Sequence, residues 1–316
     1  MAYNRLAKLR RDRAYIRRRG GMKKYFARQR YAARTRRYAK KTRKTYRPMS
    51  RKRILNATSR KKRNTMLSWS NTNGTGASQT VALGNLLVPG STGYAWVPWH
   101  ASAMDIDTLS VIPNDASRTA STCYMVGLAE NLKFQTSTGL PWFHRRICFT
   151  IKGPNPFAGI SPFDTTAVQQ TTFFTDTSNG MERLWFNLQV NNSTSTLSSQ
   201  QALLFKGVQG KDWTDVITAP VDNLRVSVKY DRTRTISSGN SNGVVREHKM
   251  FHSMRKNLVY DDEEAGQSKQ STYYSVDSKL GMGDFYVIDI IQPGSGGTAS
   301  DLLLLGATST LYWHEK

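Results

Sequence analysis

Residues 122–152 read TCYMVGLAENLKFQTSTGLPWFHRRICFTIK, and this stretch predicts two β-strands joined by a turn. Apolar and polar side chains alternate through residues 123–134, with Tyr124 and Val126 in phase with Leu128. A Gly-Leu-Pro sequence follows and is typical of a turn. Residues 143–152 alternate again. Because a period of two places apolar side chains on one strand face, we expect two neighbouring antiparallel strands.

Patterns with a period of two recur along the rest of residues 64–316. They predict strands near residues 81–88, 94–99, 170–175, 183–190, 224–231, 245–254, 271–277, 283–291 and 302–313. The last two segments are apolar on both faces, which is typical of central, buried strands. A short helix is predicted only for residues 198–206, which Gly207 ends. Many strands, long loops and little helix predict an all-β sandwich or jelly roll.

Residues 1–63 form a basic arm of a different composition. They hold 27 Lys and Arg and one acid, Asp12. The whole chain has 46 basic and 22 acidic residues, which leaves 19 and 21 for residues 64–316. The arm is therefore +26 and the body −2. Because like charges repel and apolar residues are too few to form a core, we expect the free arm to be disordered.

The composition of the arm favours a polyanionic partner. Lys and Arg release the counterions that condense on nucleic acid, and Arg makes forked contacts with phosphates. Interleaved tyrosines can stack on unpaired bases without reading sequence. We predict nucleic-acid binding by Arg5, Arg10, Arg11, Arg13, Arg17, Arg18, Arg19, Lys23, Lys24, Tyr25, Arg28, Arg30, Tyr31, Arg34, Arg36, Arg37, Tyr38, Lys40, Lys41, Arg43, Lys44 and Arg47.

Two short basic clusters, residues 51–53 and 60–63, lie at the end of the arm. The six residues between them are expected to act as a flexible spacer. Nuclear import receptors read such clusters, but any basic arm also contains them by chance, and both interpretations stay open. The first predicts import contacts by Arg51, Lys52, Arg53, Arg60, Lys61, Lys62 and Arg63.

The candidate motifs for catalysis or metal binding each lack a required residue or spacing. His248 and His252 have the spacing of a helical zinc motif, but the required Glu is missing and the flanking residues favour a strand. The acidic residues 261–264 lack the spacing of a calcium loop, which favours an exposed turn or a contact with a basic patch on a neighbouring subunit. Asp105 and Asp107 share a strand face without other support for an acid–base pair. We expect no enzymatic activity and no cofactor.

Length and cysteine content bound the class of protein. Some 250 residues follow the arm, enough for one large all-β domain or two small ones. Cys123 and Cys148 do not make a disulfide framework, which favours a reducing compartment. No apolar run is long enough to cross a membrane, and the N-terminus lacks the apolar region of a secretory signal.

Basic residues of the body have two interpretations. Arg145, Arg146, Arg225 and Lys229 either line an inner wall that faces nucleic acid or occupy ordinary outward strand positions. The sequence pattern gives both equal weight.

Six blocks of sequence share a family likeness. They are residues 60–70 (RKKRNTMLSWS), 123–125 (CYM), 135–139 (QTSTG), 141–142 (PW), 145–149 (RRICF) and 253–263 (SMRKNLVYDDE). Together they span most of the body and resemble the coat proteins of genomoviruses, small circular single-stranded DNA viruses related to geminiviruses. The resemblance implies an eight-stranded antiparallel jelly-roll subunit of an icosahedral shell of about 60 copies, with the arm on the DNA inside. It implies no catalytic residue.

We therefore predict a capsid protein with a disordered basic arm (residues 1–63) and a jelly-roll domain (residues 64–316). It would self-assemble, package circular single-stranded DNA, use host nuclear import receptors and be found in the host nucleus and the virion, without membrane insertion. The alternative is a cellular nucleic-acid-binding protein of the ribosomal or chromatin type, which sedimentation of the purified protein would distinguish. A DNA-processing enzyme is disfavoured because metal and nucleophile motifs are missing.

Overall fold

The computed structural model describes residues 49–106 and 115–316. These residues are mostly β, with two short helices, α1 (Arg51–Thr58) and α2 (Thr194–Leu204). The earlier strands are β1 (Arg60–Met66), β2 (Ser68–Thr72), β3 (Ser78–Leu83), β4 (Leu86–Pro89), β5 (Ala95–His100), β6 (Thr122–Thr136) and β7 (Trp142–Ile151). The later strands are β8 (Thr175–Thr177), β9 (Gly180–Trp185), β10 (Ser227–Ile236), β11 (Val245–Val259), β12 (Glu263–Ala265), β13 (Ser268–Gln270), β14 (Asp284–Pro293) and β15 (Leu302–Glu315). The predicted all-β class is confirmed.

Two large antiparallel sheets organise the body. One has the order β1-β15-β6-β11, with β4 pairing to the other end of β15, and the second has the order β10-β7-β14-β5. A smaller sheet, β3-β2-β9-β8, contains the parallel pair β2–β9. The prediction that residues 122–152 form two neighbouring strands is wrong, because β6 and β7 lie in different large sheets. Alternation identifies the face of a strand but not its partner.

The alternation of β6 changes phase in the middle of the strand. Cys123 and Met125 are buried and Tyr124 is exposed, whereas Leu128 is buried. The predicted common face of Tyr124 and Leu128 is therefore wrong. The pairing of β6 with both β15 and β11 shifts register next to Val126, and a bulge of this kind moves later side chains to the opposite phase.

Strand β1 belongs to the body, although its first four residues share the basic composition of the arm. All seven of its residues pair with β15, from Arg60 opposite Glu315 to Met66 opposite Ser309. Its burial alternates, which is the pattern of a strand with one face on a core. Residues 58–316 form one compact unit. The ordered body thus begins before Asn64.

Apolar side chains from both large sheets meet in a shared core. Leu132 of β6 and Leu305 of β15 are fully buried in one cluster with Trp142 of β7 and Ile291 of β14. Burying a side chain of this size contributes about 1.5–3 kcal/mol. Packing across the two sheets therefore fixes which face of each sheet points outward.

The outer faces of the two large sheets differ. Strand β5 is buried at every position and β14 at nearly every one, because residues 194–219 cover the four-stranded sheet. Trp96 donates to Gln200 of α2 at 2.8 Å, and Arg145 donates to the carbonyl oxygens of residues 216, 217 and 219. On the five-stranded sheet, every second residue of β1 is exposed. Within residues 58–106 and 115–316, one large sheet face is covered and the other is open.

The remaining secondary-structure predictions have mixed outcomes. Both β14 and β15 occupy central positions, as predicted, but β15 is buried on alternate residues rather than on both faces. The predicted helix begins at Thr194, four residues earlier than expected. Residues 271–277 form no strand, only a bridge between Tyr260 and Ser275. Among the described residues, no helix is long and apolar enough to cross a membrane.

Candidate nucleic-acid interface

The described chain covers only the end of the predicted nucleic-acid-binding segment. All 22 arm residues predicted to bind nucleic acid, from Arg5 to Arg47, lie outside the described residues. The described basic residues at the start of the chain belong to the two clusters predicted as import signals. The geometry of the candidate interface is therefore built from these clusters and from the body.

The first cluster lies in helix α1, although the arm is predicted to be disordered. The backbone N–H of Arg53 donates to the carbonyl of Ser50 at 2.9 Å, and the Ser50 hydroxyl lies 3.4 Å from the same nitrogen. A Ser before the first turn is a favoured N-cap, which explains why the helix starts there. Arg51 and Arg53 are exposed, so both remain accessible to an anionic partner. Most of the expected flexible spacer is helical.

The second cluster is not a continuous exposed sequence, because its residues alternate across β1. Arg60, Lys61 and Arg63 are exposed, whereas Lys62 is only 3 % exposed. The Lys62 ammonium lies 3.0 Å from a carboxylate oxygen of Glu315. It also donates to the Ser117 carbonyl at 2.7 Å. Lys62 is therefore committed to the fold and not available to a receptor that reads an extended chain.

Glu315 organises the other side of this buried contact. Its carboxylate accepts hydrogen bonds from the Thr119 hydroxyl at 2.5 Å and from the Trp313 indole at 2.7 Å. Burial opposes ionisation of Glu315, but the hydrogen bonds from Thr119, Trp313 and Lys62 together lower its pKa. An ionised Glu315 thus holds Lys62, which attaches β1 firmly to the last strand of the chain.

Both interpretations of Arg146 are wrong, because it lies between the two large sheets. Its guanidinium pairs with both oxygens of Asp289, at 2.7 and 2.9 Å, and also with Glu130. Arg183 donates to the same two carboxylates and stacks on the ring of Trp185, 3.7 Å from its centre. Two buried cations are therefore matched by two buried anions.

The electrostatics of this network favour its ionised form. Burial raises the pKa of Asp289, but Arg146 and the hydrogen bond with His144 outweigh it, so the pKa lies well below its usual range. Burial lowers the pKa of His144, which keeps the imidazole neutral near pH 7. The network is thus close to neutral overall, and it stabilises the contact between the sheets without offering a charge to solvent.

The other basic body residues separate into one buried and two exposed positions. Arg145 pairs with both oxygens of Asp231, at 2.9 and 2.7 Å, beneath residues 216–219, so neither interpretation of it holds. Arg225 and Lys229 are exposed, which fits either interpretation, and Arg225 precedes β10. Burial and the nearby Lys256 lower the pKa of Lys229.

The acidic stretch at residues 261–264 is divided between two roles. The Asp262 side chain is fully buried and pairs with Arg118 through two contacts of 2.5 and 3.0 Å. Burial opposes ionisation of Asp262, but the bonds from Arg118 lower its pKa. The prediction of a wholly exposed turn is therefore wrong for Asp262, while Glu263 and Glu264 lie in the exposed hairpin β12–β13.

The candidate chemical residues do not come together in a site. Burial lowers the pKa of His252 to about 4, and its ring lies 3.8 Å from the buried thiol of Cys148. His248 lies on the same strand, half-buried. Asp105 is exposed, and Asp107 lies outside the described residues. Within residues 49–106 and 115–316, no group of three or more His, Cys, Asp or Glu could hold a metal ion.

Comparison of the chain with protein-family models and with curated proteins found no match.

Proposed function

We propose that this chain is the structural subunit of a closed shell that packages single-stranded DNA. The observation that carries the proposal is the division of charge, +26 in residues 1–63 and −2 in residues 64–316. A polycation joined to a near-neutral folded body suits a protein that binds a polyanion with one part and copies of itself with the other. Counterion release supplies the affinity of the arm, and the body is free to form contacts that depend little on salt.

The order of the strands supports a jelly-roll body. In a jelly roll of eight strands, the first, eighth, third and sixth form one sheet, and the second, seventh, fourth and fifth form the other. If β4, β5, β6, β7, β10, β11, β14 and β15 are taken as the eight, the observed orders β4-β15-β6-β11 and β5-β14-β7-β10 match this arrangement. Strand β1 and the small sheet are then additions to it.

The resemblance of six sequence blocks to genomovirus coat proteins supports the narrower proposal of an icosahedral shell of about 60 copies around circular single-stranded DNA. Localisation to the virion and to the host nucleus follows from the same proposal. Import receptors would read residues 51–53 and the part of the arm before them, because Lys62 of the second cluster is buried. The body would act in assembly and not in catalysis.

Electron microscopy and sedimentation of the purified full-length protein test this function. We expect closed particles whose ratio of absorbance at 260 and 280 nm shows packaged nucleic acid. A variant with Arg17, Arg18 and Arg19 changed to Gln should contain less nucleic acid. The matched control changes Lys206, Lys211 and Lys279, three exposed residues of the body, to Gln.

A slowly sedimenting monomer that binds nucleic acid would favour a cellular nucleic-acid-binding protein and contradict the shell. Equal nucleic-acid content in the arm variant and its control would contradict the role of the arm.

A further inference from the structure

The open face of the five-stranded sheet, defined as the outward side chains of β1, β15, β6 and β11, has an ordered arrangement. Cross-strand pairing places Lys61 beside His314 and His314 beside Tyr124. The next outward row contains Arg63 beside Tyr312. Paired residues have side chains about 5 Å apart, so these rows are continuous surface and not isolated positions.

The charge of this open face is positive. Lys61 and Arg63 lie on β1, Lys133 on β6 and Lys249 on β11, and all four are exposed. Within these four strands, Glu247 is the single acidic residue of the open face, and it pairs with Lys133. The open face therefore carries four basic residues and one acidic residue, a net charge of +3. Burial lowers the pKa of His314, and Lys61 lowers it further, as expected beside a concentration of positive charge.

Aromatic rings lie in the rows of Lys61 and Arg63 and, through Phe251, extend toward Lys249 and Lys133. The rings of Tyr124 and His314 are 5.9 Å apart, and Tyr124 is 39 % exposed. Phe251 is 54 % exposed. It lies over Gly127, where an added Cβ would come within 2.7 Å of the ring. Because Gly127 has no side chain, the Phe251 ring can lie close to the β6 backbone at this position.

We infer that the open face is a second binding surface for single-stranded DNA, separate from residues 1–59 of the arm. Unpaired bases would stack on Tyr124, Tyr312 and Phe251, while basic residues on the outer strands β1 and β11 and on β6 contact the phosphates. Aromatic side chains on an exposed sheet bind unpaired bases in other protein folds, and each stacked base contributes about 1–3 kcal/mol. Duplex DNA does not expose base faces, so single strands are preferred.

The width of the surface fits this partner. Three strand spacings separate β1 from β11, which is about 14 Å. Arg63 and Lys249, at the two edges, are also offset by four residues along β6, which is about 14 Å. One strand of nucleic acid that crosses the face diagonally, over about 20 Å, passes basic residues at both edges and places its bases over the central rings. The covered outer face of the four-stranded sheet offers no such surface, because residues 194–219 lie on it.

Photo-cross-linking of the full-length protein tests the inference, which rests on the proposed DNA-binding function. The probe is oligothymidylate that carries 5-iodouracil, and cross-linked peptides are identified by mass spectrometry. We expect cross-links at Tyr124, Tyr312 or Phe251 in addition to arm tyrosines. Cross-links confined to the arm would overturn the second surface and leave the proposed function intact. A protein without any cross-link would contradict the proposed function itself.

A pair of matched variants provides an independent readout. Lys133→Gln with Lys249→Gln removes two phosphate-binding side chains, and Lys206→Gln with Lys211→Gln removes the same charge from the covered side. For a single strand, each protein–phosphate contact that is lost reduces the magnitude of the slope of log K against log salt by about 0.7. The slope of the first variant should therefore fall by about 1.4, whereas that of the control should stay unchanged. Equal slopes in the two variants, with unchanged circular dichroism, would overturn the inference.

Discussion

Replacing Asp289 by Asn is expected to destabilise the body severely. The Asp289 carboxylate accepts hydrogen bonds from Arg146 at 2.7 and 2.9 Å, from Arg183 at 2.6 Å and from His144 at 2.7 Å. In the native network two cations face two anions. After the substitution only Glu130 remains against both guanidinium groups, and the Asn amide directs donors toward donors. Removing one partner from a buried ion pair costs about 3–5 kcal/mol.

Urea unfolding monitored by tryptophan fluorescence measures this effect, because Trp99 and Trp185 stack on Arg183 and report on the network. For a body of this size the same loss of stability lowers Tm by roughly 6–20 °C. The control is Lys211→Gln, which changes an exposed residue of the body and should cost about 0.5 kcal/mol or less.

A charge-balanced double variant, Asp289→Asn with Arg183→Gln, separates charge from packing. It should be less destabilised than the sum of the two single variants, by about 0.5–3 kcal/mol, because it leaves no excess buried charge. Additive effects in the double variant, or a cost for Asp289→Asn as small as that of the exposed control, would refute the electrostatic account.

Three further outcomes are expected. The pKa of His252 is about 4 in the folded chain and 6.5 in the unfolded chain, so the unfolded chain binds a proton first as the pH falls, and the free energy of unfolding decreases by on the order of 3 kcal/mol between pH 6.5 and 4. His252→Phe should make the free energy of unfolding in urea less dependent on pH in that window, and an unchanged pH dependence contradicts this. Lys62→Met should loosen β1, so that trypsin cleaves within it during a brief digest that leaves native β1 uncut; equal protection speaks against the Glu315 contact. A chain that starts at Ser59 should keep its circular dichroism and melting temperature but package little DNA, whereas one that starts at Thr65 loses most of β1 and should melt lower; identical melting would mean that the pairing with β15 adds little.

Much of the strand content could be predicted from sequence, but the partners of the strands could not. The alternation in residues 122–152 identifies two strands because local periodicity depends only on which face is buried. Whether the chain then turns back beside β6 or crosses to the other sheet depends on contacts with β14 and β15, more than 130 residues later. The phase change in β6 was also hidden, because a bulge is set by both neighbouring strands.

The candidate interface was predicted unevenly for a related reason. The basic arm is visible in composition alone, since charge density needs no fold. The burial of Arg146 was missed because its partners, Glu130 and Asp289, are distant in sequence and basic residues are usually exposed. One signal was available: Asp289 is the only charged residue in the apolar run 285–291, and an acid in a buried strand requires a buried cation. The open face could not be predicted from the sequence, because its side chains come together only through the pairing register of four strands.

The pairing of β1 with β15 has a consequence for the timing of synthesis. The arm and β1 emerge from the ribosome before β15, the partner strand of β1, which ends at Glu315. At about 5–20 residues per second, roughly 10–50 s pass before that partner emerges. During this interval the nascent chain carries its full polycation but has no completed sheet beside it. Interrupted synthesis would therefore yield fragments that adhere to nucleic acid yet lack the finished edge of the body, so only completed chains combine both properties.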